Sequence, residues 1–134
     1  IDTVEFFIST NPGEDVKPLS HVASGGEVSR IMLAIKTVFQ NLDPVKTLIF
    51  DEIDTGISGM AAKKVSNYLL DLSKSKQVIC ITHLSQIAFN ADNHLHISKY
   101  TDGGNTSVKV QYLDENERTK VIKSLFHGEQ VGIT

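Results

Sequence analysis

At 134 residues, with 40% hydrophobic and 22% charged side chains, the chain has enough apolar material for one core and a composition that excludes general disorder. Its formal net charge of -3 excludes a strongly basic nucleic-acid clamp, though not a local basic patch. No apolar run approaches the roughly 18 residues of a membrane-spanning helix and no leading segment has a signal-peptide pattern, so a soluble cytoplasmic protein is expected.

The chain starts at Ile1 on a strand-like run and stops at "GEQVGIT" without a closing element, and missing sequence is expected on both sides. "TVEFFIS", Thr3 to Ser9, is rich in β-formers and predicts a strand. "TNPGEDVKPLS" follows as a loop, with Pro12-Gly13 as a turn and Pro18 as a helix breaker. Val28, Ile31, Met32, Ile35, Val38 and Phe39 recur at helical spacing and predict a helix from about Gly25 to Asn41. "KTLIF", Lys46 to Phe50, is a continuous apolar run, the pattern of a strand buried on both faces.

A second amphipathic helix carries Ala61, Ala62, Val65, Tyr68, Leu69 and Leu72 on one face. "QVICIT" predicts a second buried strand, and its Cys80, the sole cysteine, reads as a buried thiol in a reducing compartment. After a short helix near Leu84 to Asn90, "NHLHIS" and "TSVKVQYL" flank the turn "TDGGN" as an antiparallel hairpin. A last helix starts near Asp114, with Glu117 three residues on as a capping pair, and is expected to bury Val121, Ile122, Leu125 and Phe126. The alternation of strand and helix implies parallel strands joined by right-handed crossovers. The expected fold is therefore a single α/β lobe over residues 1–134, a mainly parallel sheet flanked by helices, with the hairpin added at its edge.

Four stretches can carry chemistry. In "SGGE", Ser24 and Glu27 make a capping box. Gly25 and Gly26 are unexplained by capping, because each costs a helix about 1 kcal/mol relative to alanine. A helix start free of side chains exposes backbone N–H groups that a phosphate can approach closely. "TLIFDE" puts Asp51 and Glu52 where ligands of open parallel sheets bind, outside the carboxyl end of a strand. Neighbours on a strand point to opposite sides, so one carboxylate can sit beside magnesium and phosphates while the other handles a water. A solvated pair at a strand end is the alternative.

"ICITH" ends the second strand at His83, either a structural hydrogen-bonder or a group on the same sheet edge as Asp51 and Glu52. "DTGISG", from Asp54, is a loop and helix start or a contact across an interface. His94 and His96 alternate on one strand face without a third metal ligand at diagnostic spacing, and Lys109, Lys120 and Lys123 read as solvated surface. No G-x-S-x-G elbow and no H-E-x-x-H is present.

In this order the pieces resemble the C-terminal half of an ATP-binding-cassette (ABC) ATPase, a P-loop NTPase head: signature motif, Walker B, D-loop and switch histidine. "STNPGE", "VASGGEVSRIMLAIK", "TLIFDEIDTGISG" and "ITHLSQIA" are similar to the RecN family of bacterial DNA repair ATPases, relatives of the structural-maintenance-of-chromosomes (SMC) proteins. The resemblance runs over nearly the whole chain. It implies that Ser24, Gly25, Gly26 and Glu27 form the signature, which contacts the γ-phosphate of ATP on an opposite head. It implies a Walker B role for Asp51, helping to hold Mg2+ through water, a general-base role for Glu52, a D-loop role for Asp54 and a γ-phosphate-sensor role for His83. Ala23 and Glu27 stand where transporter-type "LSGGQ" has leucine and glutamine, which argues against a transporter subunit.

No "GxxxxGK[ST]" occurs. The resemblance therefore implies the C-terminal lobe of a split head, without the P-loop lobe and coiled coil, that binds ATP weakly or not at all by itself and is inactive alone. The implied partners are the N-terminal P-loop lobe, a second head in an ATP-sandwiched homodimer and DNA through the full-length protein, with no membrane. The implied role is ATP hydrolysis for double-strand-break repair and recombination, at the nucleoid. The competing expectation is a non-catalytic DNA- or protein-interaction module that keeps the fold.

Overall fold

A computed structural model of the chain describes residues 3–9, 13–21, 24–102 and 104–127. Pro12 of the expected first turn, Ala23 beside the signature and Gly103 of the hairpin turn lie outside them. The elements run β1 (Phe7–Ile8), β2 (Lys17–Pro18), a 3-10 turn (Leu19–His21), α1 (Gly25–Val38), β3 (Thr47–Phe50), α2 (Gly59–Ser73), β4 (Gln77–Cys80), α3 (Ser85–Ala88), β5 (Leu95–Asp102), β6 (Asn105–Tyr112) and α4 (Glu115–Phe126).

The centre is the β3–α2–β4 unit. β3 and β4 pair in parallel from Thr47 opposite Gln77 to Phe50 opposite Cys80, as the alternation of elements predicts. Leu48 and Phe50 of β3, Leu33 of α1, Val65, Leu69 and Leu72 of α2, Ile53 and Ile87 make the buried cluster. α2 turns Ala62, Val65, Ser66, Leu69 and Leu72 inward. Ala61 and Tyr68, expected on that face, are exposed. Ser66 is buried in their place, and its hydroxyl is satisfied by the Asn90 side-chain amide at 2.9 Å.

The two strands are not buried on both faces. In β3, Leu48 and Phe50 point into the core while Ile49 remains 67% exposed, and Ile79 and Ile81 beside it are also exposed. The core residues named above cover one face, and no described residue buries the other.

α1 starts where the Ser24 hydroxyl accepts from the Glu27 N–H at 3.2 Å. It ends at Val38, earlier than expected, because Leu42 and Asp43 N–H turn back to the Phe39 carbonyl. The Asp43 side chain then accepts from Val45 N–H, and Pro44 between them disfavours helix in the residue before it. Leu33 is the one large α1 side chain fully buried; Val38 and Phe39, counted on the apolar stripe, lie at the exposed end.

At the start of the chain only Phe7–Ile8 of the expected Thr3–Ser9 strand is paired, antiparallel to Lys17–Pro18. Proline is accepted there because the ladder is two residues long and needs nothing further from its missing N–H.

The hairpin departs most from expectation. β5 and β6 pair from Leu95 opposite Tyr112 to Asp102 opposite Asn105, but they form a sheet of their own rather than an edge of β3–β4. Of three two-stranded sheets among the described residues, β3–β4 alone is parallel, so a mainly parallel sheet is not what these residues form. The chain leaves β4 through α3 and is anchored there. The His94 ring Nε2 bonds the Ala88 carbonyl at 2.8 Å, and Arg118 of α4 donates to the carbonyls of Phe89 and Ala91.

α4 has the complete reciprocal capping box, Asp114 with Glu117. It buries none of its residues: Val121, Ile122 and Leu125 are half-buried and Phe126 is exposed. No helix among the described residues is long and apolar enough to cross a membrane.

Candidate functional site

Parallel pairing brings the carboxyl ends of β3 and β4 together, and the ladder extends one bond further, from Ile81 N–H to the Phe50 carbonyl at 2.9 Å. The residues that follow each strand, 51–55 and 82–84, therefore meet at one edge.

Asp51 is exposed there, and its Oδ1 accepts from the Glu52 N–H at 2.8 Å. Glu52 has φ +56°, a left-handed conformation uncommon for a residue with a Cβ and one that recurs at functional sites. The reversal drives the next side chain, Ile53, fully into the core, and Thr55 N–H closes the turn onto the Glu52 carbonyl.

The start of α1 grips this loop from the other side. The Ser29 hydroxyl donates to the Asp51 carbonyl at 2.7 Å, and the Arg30 guanidinium donates to the carbonyls of Ile53 at 3.1 Å and Thr55 at 2.8 Å. This closeness divides the two glycines. A Cβ on Gly26 would stand 2.8 Å from the Glu52 backbone oxygen and 3.0 Å from both the Arg30 Nη1 and the Thr55 Cβ. Gly26 is thus required by packing within the chain itself. A Cβ on Gly25 would collide only with Oε2 of Glu52, the free end of an exposed side chain that can swing away. The Glu52 carboxylate therefore lies against the N-terminal end of α1, where the helix dipole favours negative charge.

Asp54 is not at the surface. Its side chain is 4% exposed, and its Oδ2 accepts from the Thr82 hydroxyl at 2.6 Å and the His83 N–H at 2.8 Å and lies 2.9 Å from His83 Nδ1. Burial opposes the charge, but the bonds from Thr82 and the His83 amide, with the His83 ring beside them, outweigh it and hold the carboxyl below its ordinary value. Asp54 thus makes its described contacts within this chain. The His83 side chain is 72% exposed.

Cys80 is half-buried rather than fully buried, and burial together with the Asp54 and Asp51 carboxylates pushes its thiol up to about 12, which disfavours the thiolate.

The residues of the four stretches that can carry chemistry, Ser24 to Glu27, Asp51, Glu52, Asp54 and His83, thus belong to one connected region. Ser29, Arg30 and Thr82 are its unforeseen members. An arginine inside the apolar run "VSRIMLAI" was the available signal for Arg30, whereas the hydroxyls of Ser29 and Thr82 carry none in sequence. Among the described residues no three His, Cys, Asp or Glu side chains gather as a metal site. Asp51 alone fits a water-mediated contact to a hydrated cation better than a protein cage. An exposed carboxylate pair, an exposed imidazole and a nearby helix start fit a phosphate and a water, and no described loop wraps a phosphate.

No family model matches the chain. It is 49% identical to DNA repair protein RecN of Halalkalibacterium halodurans over 131 residues, 98% of this chain and 23% of that protein. RecN of Bacillus subtilis is 47% identical over the same shares, and RecN of Treponema pallidum 47% identical over 96% of this chain and 22% of that protein. The chain spans about a quarter of the length of these relatives.

Among solved structures it is similar to the Smc head domain with a coiled coil and joint from Pyrococcus yayanosii, with a TM-score of 0.63 and 26% identity over 90% of this chain and 25% of that one. A chain from work on ATP-driven dimerization and DNA-stimulated activation of SMC ATPases gives a TM-score of 0.57 at 27% identity, over 91% of this chain and 80% of that one. The resemblance to RecN carried by the motifs is therefore shown along essentially the whole chain, and the lobe has the fold of part of an SMC-type head.

Proposed function

From its standing as a RecN-like segment we propose that this chain is the C-terminal lobe of an ABC-type ATPase head, in a cytoplasmic protein that repairs and recombines DNA. Its full-length parent would hydrolyse ATP with Mg2+. The observation that carries this reading is the convergence of Asp51, Glu52 and His83 at the carboxyl ends of two parallel strands, with the start of α1 against them. When bound, ATP would supply the phosphoryl group and Mg2+ the charge neutralisation. Glu52, released from α1, would orient a water in line with that group and take its proton on a carboxylate oxygen as the water oxygen bonds to the γ-phosphorus and the bond to the leaving ADP breaks. His83 offers its exposed ring to the terminal phosphate. Asp51 would help to hold the hydrated cation. Ser24 and Gly25 at the N-terminus of α1 present N–H groups to the phosphate held by a second head, where they stabilise developing charge.

The bare face of β3–β4, with Ile49, Ile79 and Ile81, supports a further lobe that covers it and supplies the phosphate-wrapping loop. On this reading the chain alone is inactive. In the full-length protein Glu52→Gln should leave ATP binding intact, slow turnover by about 100-fold or more and accumulate ATP-bound dimers. Unchanged turnover would remove Glu52 from the base role and favour an interaction module that has kept the fold.

A further inference from the structure

Asp54 is nearly inaccessible, yet it is the most heavily engaged carboxylate beside the site. One oxygen, Oδ2, gathers the Thr82 hydroxyl, the His83 backbone N–H and the His83 ring nitrogen Nδ1 at 2.6, 2.8 and 2.9 Å. The Thr82 hydroxyl, having given its hydrogen to Asp54, accepts from Leu84 N–H at 3.1 Å, which fixes the loop on the far side of the histidine. An ionised carboxylate only accepts, so its approach to within 2.9 Å of Nδ1 favours a hydrogen on that nitrogen. The ring thus lies against the carboxylate at one nitrogen, while the His83 side chain as a whole is 72% exposed.

We infer that Asp54 is a positioning residue for His83: through Oδ2 and Thr82 it fixes the rotamer and protonated nitrogen of the imidazole, so that Nε2 is presented to the phosphate edge. Asp54 therefore acts within its own lobe. The inference rests on the ATPase-head reading, and it gives Thr82 a role that the motifs do not.

The test is a double-mutant cycle on ATP turnover in the full-length protein, with Asp54→Asn, His83→Ala and the pair. Asp54→Asn keeps the shape and should lower kcat by about tenfold or more, the usual cost of removing a group that orients a functional histidine. On the His83→Ala background the same change should have no further effect. Losses that multiply, or no loss from Asp54→Asn, would overturn the inference. Should Asp54→Asn fail to fold, Thr82→Val serves the same cycle: its smaller loss should likewise vanish without His83, and a multiplying loss refutes the role.

A spectroscopic readout separates positioning from general stability. In 15N-histidine-labelled protein the His83 signal, identified by its absence in His83→Ala, should report hydrogen on Nδ1 in the neutral ring and move toward the other tautomer in Asp54→Asn. An unmoved signal overturns the inference. An unmutated protein that hydrolyses no ATP sinks the head reading and this role together, whereas a multiplying cycle in an active protein sinks this role alone.

Discussion

The glycine pair of the signature separates two demands that a sequence motif fuses. Gly26 faces backbone, which cannot give way, so Gly26→Ala should destabilise the fold by about 1–3 kcal/mol, read as a lower midpoint in denaturant unfolding. Gly25 faces only the tip of Glu52, so Gly25→Ala should leave stability within about 1 kcal/mol, helix propensity offsetting the displacement. The same Gly25→Ala should nevertheless reduce turnover of the full-length protein, because the added methyl stands where a phosphate would approach. Equal destabilisation by the two variants would contradict the assignment.

Asp54 adds a pH signature at the same scale. Its folded value lies below the ordinary 3.8, so its contribution to stability is complete above that ordinary value and is lost as pH falls through the lower folded value. Acid unfolding of Asp54→Asn should lack this component and show a shallower acid limb than the unmutated protein. An identical limb would mean that the carboxylate gains nothing from the Thr82 and His83 N–H bonds.

At the scale of elements, what was legible followed from period and punctuation. The parallel β3–β4 pair followed from strand, helix, strand, and α4 from its Asp114–Glu117 box. "TLIF" and "QVIC" misled because a continuous apolar run has the same appearance whether its second face is covered within this chain or by something else. The hairpin was found but misplaced, since no local pattern records the His94 and Arg118 bonds that attach its surroundings to α3. On α1 the 3.6-residue stripe named Val38, which is exposed, and passed over Leu33, which is buried. Packing follows from this. Leu72→Ala, at a fully buried α2 position, should cost about 2–5 kcal/mol, while Val38→Ala should stay within about 0.5 kcal/mol. Comparable losses in parallel melts would refute the core drawn here. In the site, Asp51, Glu52 and His83 were legible because strand ends can be read. The inward turn of Asp54 was not, because it depends on the left-handed Glu52 and on a threonine 28 residues away.

At the scale of the molecule, two apolar faces stand open among the described residues: Ile49, Ile79 and Ile81 on β3–β4 and its continuation, and Leu95, Ile97, Val108, Val110 and Tyr112 on the hairpin. Uncovered apolar surface of this kind marks an interface, and a chain spanning about a quarter of its RecN relatives has an occupant at hand in the remainder of the protein. Ile79→Lys should therefore change the stability of this chain little but abolish turnover of the full-length protein; loss of stability in the isolated chain would argue that the face is already in use. The central claim is that this lobe completes an ATPase head, and the most direct measurement is ATP turnover by this chain mixed with the separately expressed remainder of the head, against each alone. Turnover should appear only in the mixture and disappear when this chain carries Glu52→Gln. Two lobes that fold and associate yet hydrolyse no ATP would contradict the account.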